Sequence, residues 1–290
     1  MQTVSQRLRA KMPQLPPAEL KAARVLLADY PVAGLTTTAA VAAAAGVSAP
    51  TVLRLVDRLD FSSYPAFQEA LRRELQEQAR IPLRQAKEYQ AEDDPLGRSR
   101  QVFVRGLEET FERLDPADFA KAVTLLASPR STVYATGGRF TTVVAKTLVM
   151  LLEVLRPRTH YLSVEDRTSV IVDLGPKDVV FVTDLRRYQP STVTFAAEAA
   201  RRGAKVILLT DHWMSPIAQH ADAVLTTSLV APHPLDSVVH AMAVVEAVVT
   251  GVLDAMGDLP ISRMKDYDEA WATHGFSSPS TTRSTSTSEN

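Results

Sequence analysis

Two periodicities divide the chain. Up to about residue 80, apolar residues recur at helical spacing in short runs with no strand-like alternation, which predicts short helices joined by tight turns. From Thr132 onward the pattern changes. Short apolar runs at Thr132–Thr136, His160–Val164, Asp178–Thr183, Lys205–Thr210 and Ala223–Thr227 alternate with helical stretches at Thr141–Leu155, near Thr168–Leu174, at Ser191–Arg202 and at Leu235–Met256. Between the two regimes a helical stretch begins at Pro95, with Val102, Val104, Leu107, Phe111 and Leu114 at helical spacing. A second follows Asp115-Pro116, a cap with proline in the first turn. The fold class predicted is an all-α N-terminal domain plus an α/β C-terminal domain, a five-stranded, mostly parallel sheet sandwiched by helices.

The densest local signal lies in "TTTAAVAAAAGVSAPTVLRLVDRLDF", Thr36–Phe61. Thr37 can cap a short alanine helix that continues to Ala45. Gly46 permits a positive-φ turn and Val47 plugs inward. Ser48 then caps a second helix, Ala49–Leu59, with Pro50 in its first turn. Two helices around a glycine turn make a helix-turn-helix. In the second helix Val52, Leu55, Val56 and Leu59 face inward, leaving Ser48, Ala49, Thr51, Arg54 and Arg58 outward. Short polar groups at a helix start reach bases or phosphates, and arginine can make a bidentate contact with guanine. Double-stranded DNA is the expected partner, against the plainer reading of a helix pair that only packs.

Charge changes this picture little. Residues 1–80 hold ten Lys/Arg against seven Asp/Glu, a net of +3, and the other 210 residues carry −4. Hydrophobic content of 46% with 22% charged residues is ordinary for a globular protein. The chain has no cysteine, which excludes disulfides and thiolate sites. The N-terminus lacks the apolar core of a signal peptide and no membrane span is expected, so the expected location is cytoplasmic. The divisions expected are 1–80 for DNA binding, 81–109 for a linker and helix start, 110–257 for the α/β domain, 258–276 for an extension and 277–290 for a disordered Ser/Thr-rich tail.

The stretch "GLTTTAAVAAAAGVSAPTVLRLVDRLDFSSYPAFQEALRREL" resembles the DNA-binding domain of RpiR-type bacterial transcription regulators. In that family a Gly-Val-Ser turn, a Thr-Val-x-Arg helix and a Leu-Gly-Phe-x-x-Tyr-x-x-Phe segment follow in order. Leu59, Phe61, Tyr64 and Phe67 match, whereas Asp60 replaces the glycine; aspartate tolerates the left-handed conformation, so the helix end should survive. The resemblance implies a second domain of the sugar isomerase (SIS) fold, a sensor for a small anionic metabolite, and a homodimer or homotetramer. No histidine metal motif occurs, and no metal or cofactor is expected.

SIS domains carry a Gly-rich turn after the first strand and a Ser-x-Ser-Gly-x-Thr loop after the third, and these cradle a sugar phosphate on free backbone N–H groups. Here the first turn is Thr136-Gly137-Gly138-Arg139-Phe140-Thr141, with Phe140 where a serine is expected. The third loop is Asp184-Leu185-Arg186-Arg187-Tyr188-Gln189, and the Ser-Gly cradle is absent. Arginine supplies charge and a planar fork for phosphate or carboxylate. Gly137, Gly138, Arg139, Thr141, Asp184, Arg186, Arg187 and Ser215 are therefore the candidate ligand residues. The alternative for the arginine pair is a salt bridge or a subunit interface, and for Ser215 a helix cap. Asp236 or Ser237 can face a neighbouring pocket.

Nothing predicts catalysis. Isomerisation needs a base beside an enolisable carbon. Among His160, His212, His220, His233, His240 and His274 none pairs with a carboxylate by spacing; His212, just past a strand end, alone merits a test, and a surface role is its expected one. No catalytic residue is assigned, and no nucleotide-binding or hydrolase motif occurs. A ligand-responsive DNA-binding regulator is the reading. The rivals are an SIS sugar-phosphate isomerase or phosphosugar-binding enzyme, and a regulator whose SIS domain only oligomerises.

Overall fold

The structure is a computed structural model that describes residues 3–28, 30–78, 86 and 93–274. Residues 81–85 and 87–92 of the expected linker and helix start, and all of the tail at 277–290, thus lie outside the described residues.

The N-terminal domain is entirely helical: α1 (Val4–Lys11), α2 (Pro17–Ala28), α3 (Val32–Leu35), α4 (Thr38–Ala45), α5 (Ala49–Arg58) and α6 (Tyr64–Gln78). Thr3 and Gln6 close a reciprocal capping box at the start of α1, satisfying two otherwise orphaned N–H groups. Gly46 ends α4 at φ +61°, as the sequence required, and Thr37 caps that helix by accepting the Ala40 N–H. The α5 helix ends with Asp60 at φ +63°, so aspartate does take the place of glycine there. Leu8, Leu26, Leu55, Leu59, Phe67 and Leu71 close the core. The Tyr64 hydroxyl donates to the carbonyls of Gly34 and Thr36. The Phe-x-x-Tyr-x-x-Phe segment is therefore structural, pinning α6 across the short α3.

The C-terminal domain follows as α7 (Pro95–Arg113), α8 (Pro116–Ala127), β1 (Thr132–Gly137), α9 (Thr142–Leu155), β2 (Thr159–Tyr161), α10 (Arg167–Ile171), β3 (Asp178–Asp184), α11 (Pro190–Arg201), β4 (Lys205–Asp211), β5 (Ala223–Thr227), α12 (Val239–Met256) and α13 (Leu259–His274). The five strands are all parallel, in the order β2-β1-β3-β4-β5. β3 and β4 are buried on both faces, which is why they read as unbroken apolar runs. One face is covered by α8, α9 and α12, the other by α10, α11 and a 3-10 turn at Pro216–Gln219.

Several boundaries differ from the sequence reading, and three of them bear on the site or the domain division. The second strand covers only Thr159–Tyr161 rather than His160–Val164, because as an edge strand it pairs with β1 alone. The closing helix starts at Val239, not Leu235; the intervening residues line a cavity. Finally, α7 runs unbroken through the expected division at 109/110, since it packs on α12 and β5 as part of this domain. The extension at 258–276 is the helix α13, tied to α9 by Arg263 Nε donating to the Glu153 carbonyl at 2.9 Å. By length and composition α12 could cross a membrane, but Ala241, Val244, Val245, Val248 and Val252 are buried in the core of this domain.

Candidate functional site

In a 2-1-3-4-5 sheet the chain leaves β1 to one side and β3 to the other, so a crevice opens at their carboxyl ends. A cavity of about 380 Å³ lies there, a size suited to a small metabolite. Gly138, Arg139, Phe140 and Thr141 form one wall, Asp184–Arg187 with Gln189 a second, and Leu229 with Leu235–Val238 the third. Of the eight expected ligand residues six line it: Gly138, Arg139, Thr141, Asp184, Arg186 and Arg187. Gly137 and Ser215 do not.

Gly137 sits behind the wall, where a Cβ would collide with Thr183 Oγ1 and Thr141. Its carbonyl accepts from Arg167 NH2 at 2.9 Å, and Arg167 also donates to the Thr136 and Thr192 hydroxyls. This buried arginine braces the first turn from beneath; no motif in the sequence pointed to it. Thr141 is likewise committed inward. Its hydroxyl accepts the Gly138 N–H and donates to the Thr183 carbonyl, leaving its backbone on the cavity. Ser215, 1% exposed, donates to Asp184 Oδ2 at 2.5 Å and accepts the Ile217 N–H. It is both a cap and a support for Asp184.

The loop after β3 explains the missing phosphate cradle. Asp211, at the end of β4 and wholly buried, accepts the Arg186 N–H at 2.5 Å, the Tyr188 hydroxyl at 2.8 Å and the Trp213 N–H at 2.9 Å. A carboxylate of the chain itself thus takes up the Arg186 amide of this loop. Holding that loop puts Arg186 at φ +33° and Arg187 at φ +47°, two successive left-handed residues without glycine. Burial pushes the Asp211 carboxyl above the usual carboxylate range, against these three bonds and the Arg186 charge.

The two arginines then diverge. The Arg186 side chain is 9% exposed, lies 3.3 Å from Asp236 Oδ1 and covers the Trp213 ring at 4.6 Å. It is held by the protein. Arg187 is exposed at the cavity rim. The question of ligand or internal salt bridge has a split answer: Arg186 makes the bridge, and Arg187 with Arg139 supplies outward charge. Burial lifts Asp184 to about 6, and the Asp211 charge adds to this, while Ser215, the Gln189 N–H and Arg167 oppose it. Among the described residues no cluster of three His, Asp or Glu could hold a metal.

On the DNA-binding side, α5 presents Arg54 and Arg58 outward at 62% and 51% side-chain exposure. Both reach back to Glu19 of α2, which is buried: Arg58 Nε at 2.7 Å and Arg54 Nε at 3.8 Å. Ser48 and Thr37 are exposed and Ala49 is half-buried. Thr51 departs from expectation: it is buried, not outward. It lies one turn before Leu55 and so joins the inward stripe of Val52, Leu55, Val56 and Leu59. Its hydroxyl pairs with Ser48 Oγ at 2.9 Å and accepts from Arg54 NH2 at 3.0 Å. Thr51 positions the arginine, and Ser48 caps by backbone geometry alone.

His212 is not the surface residue expected. It packs against the Trp213 ring, and its carbonyl accepts from Thr3 Oγ1 at 3.4 Å, joining β4's exit loop to the first helix of the N-terminal domain. Burial, with Arg113 and Arg186, presses its imidazole down to about 4.

Comparison with known proteins matches residues 2–78 to the helix-turn-helix domain of the rpiR family and residues 125–251 to the SIS domain. The HTH-type transcriptional regulator HexR of Pseudomonas aeruginosa is 30% identical over 133 residues, 45% of this chain and 46% of that protein. The chain thus aligns with about half the length of that relative. The sugar isomerase domain of an RpiR transcription factor from Sphaerobacter thermophilus superposes with a TM-score of 0.54 at 27% identity, over 58% of this chain and 97% of that one. The NanR protein of Vibrio vulnificus, solved with ManNAc-6P, superposes at 0.55 and 18% identity over 93% and 98%, a likeness of fold. With an rpiR-family helix-turn-helix at residues 2–78 and an SIS domain at residues 125–251 joined in one chain and in that order, this protein has the domain plan of RpiR-type regulators.

Proposed function

We propose that the protein is a cytoplasmic transcription regulator that binds an operator through α5 and is modulated by a small anionic metabolite in the cavity at the end of β1 and β3. One observation carries this reading. The same chain joins a helix-turn-helix with outward arginines to a metabolite-sized cavity rimmed by Arg139 and Arg187. Helix-turn-helix proteins read two half-sites as dimers. Phe140, Val143 and Met150 on and before α9 are exposed at 66%, 46% and 59%, an apolar strip beside the cavity that suits a second copy of the chain. Ligand binding there would alter the spacing of two recognition helices, and so operator affinity.

The effector class is a sugar phosphate or sugar carboxylate; ManNAc-6P bound by the Vibrio relative supports that class. Its anionic group would meet Arg187 and Arg139 rather than the Arg186 amide, which Asp211 holds. The test is selection of genomic fragments by the full chain, followed by gel shifts with Arg54→Ala and with candidate metabolites. Unchanged operator binding by Arg54→Ala sinks the α5 assignment. Metabolites that shift Arg187→Ala and wild type equally sink the cavity assignment.

A second reading has one observation in its favour. Asp184 lines the cavity with a carboxyl near pH 6, as an isomerase base would. It is 3% exposed and already accepts Ser215, so we infer binding without turnover. Incubating aldose phosphates with the protein and following interconversion by NMR should show none.

A further inference from the structure

A second cavity, about 240 Å³, lies at the seam between the two domains. Ser5 and Arg9 of α1 and Tyr30 form its N-terminal side; Met214, Ser215 and Gln219 of the β4–β5 connection form the other. It is too small for a drug-sized ligand and large enough for a few heavy atoms with water. Among the described residues that line it, Arg9 alone is charged. The Arg9 Nε is buried and has no hydrogen-bond partner, and among the described residues no carboxylate forms an ion pair with it. Burial alone pulls its guanidinium below the usual arginine range, with no acidic group pulling the other way. The nearby carboxylate, Glu74, is spent elsewhere: Oε1 accepts the Val4 N–H at 2.7 Å and Oε2 accepts the Tyr30 hydroxyl.

Arg9 is half-buried, with its Nε out of solvent, and a partly desolvated guanidinium without a counter-charge is unfavourable. Among the described residues the buried arginines, Arg156 and Arg167, have partners: Arg156 donates to the Leu126, Ser131 and Pro157 carbonyls, and Arg167 to two hydroxyls and a carbonyl. Arg9 faces a cavity instead. We propose that the seam cavity is a second binding site, for a small oxyanion of phosphate or carboxylate chemistry, with Arg9 as its charged anchor and the Gln219 amide as a further donor. Leu27 on the wall lowers the local dielectric and strengthens the pairing. The anion touches both domains, so it favours their docked arrangement. The site is also linked to the larger cavity: Ser215 lines the seam and its hydroxyl holds Asp184, which lines the other.

Inorganic phosphate is the probe, with sodium chloride at matched ionic strength as control, on the full chain. Trp213 adjoins the seam, and Trp271 is the other tryptophan. In a Trp271→Phe background, phosphate should produce a saturable change in Trp213 emission. Adding Arg9→Met should weaken apparent affinity at least tenfold, with Arg9→Lys falling between, while Arg187→Ala leaves it unchanged. Thermal melts give a second readout. In phosphate-free buffer Arg9→Met should melt no lower than wild type, and phosphate should raise only the wild type. Saturation that survives Arg9→Met, loss with Arg187→Ala instead, an equal response to chloride, or no saturable response overturns the proposal. The Arg187→Ala arm also separates this site from the effector cavity, so each assignment fails on its own.

Discussion

Two residues on either side of the β4 exit carry opposite pH dependences. Asp184 titrates near 6 in the fold and near 3.9 unfolded, so between those values the native state holds more protons and stability falls as pH rises. His212 titrates near 4 in the fold and near 6.5 unfolded. The unfolded chain holds the extra proton there, and stability rises with pH. Each effect amounts to roughly 3 kcal/mol in full, so neither dominates. Asp184→Asn should therefore make stability rise more steeply from pH 4.5 to 6.5 than in wild type, and His212→Gln should tilt it the other way. Urea melts at the two pH values decide this; parallel slopes in all three proteins would contradict it. Arg187 offers a separate test of strain. Its left-handed φ costs about 1 kcal/mol, which Arg187→Gly relieves while adding unfolded-state entropy of similar size. Stability should change by less than about 1 kcal/mol, while the response to an anionic effector is lost.

At the scale of the element, α5 is tuned by a neighbour that its own sequence does not show. Glu19 neutralises part of the charge that Arg54 and Arg58 present and fixes their direction. Glu19→Gln should raise affinity for random DNA and steepen its salt dependence by up to one counterion, while narrowing the gap between operator and random sequence. Gel shifts across a salt series read both effects. An unchanged slope would mean that the arginines do not approach phosphates. The element boundaries themselves were legible where chemistry forced them: Gly46, Asp60 and the Asp115-Pro116 cap sit where the sequence places them. Thr51 was misplaced because a single polar residue beside an apolar stripe can fall to either side. Only packing against α2 and α4 chooses.

For the molecule as a whole, the β4 exit loop is where the domains meet. Arg186 of the larger cavity covers Trp213; His212 next to it accepts from Thr3 at the start of α1. This is a contiguous path from cavity to DNA-binding domain, and it is testable as a coupling energy. Trp213→Ala should leave operator binding in the absence of effector within about threefold, and should cut the effector-dependent change in operator affinity, typically 5–150-fold in such systems, to near unity. Retained coupling in that variant would move the path elsewhere, for instance to the α9 strip and subunit geometry.

The sequence alone determined the two-domain plan, the alternation that builds a parallel sheet, the helix-turn-helix and the turn residues that shape it. These follow from local periodicity and backbone preference, which act over a few residues. It also marked the loop Asp184–Gln189 as unlike its family. What it could not decide was where the charges of that loop go. Asp211 and Trp213 at the β4 exit and Asp236 before α12 reach Arg186 from two separate stretches, while Arg167 of α10 braces the facing β1 turn, and no spacing along the chain encodes that convergence. The same holds for Glu19 beneath Arg54 and Arg58, and for Arg9 at the seam. A side chain's charge is written in the sequence; whether that charge is answered is decided only when the fold brings, or fails to bring, a partner within a few ångströms.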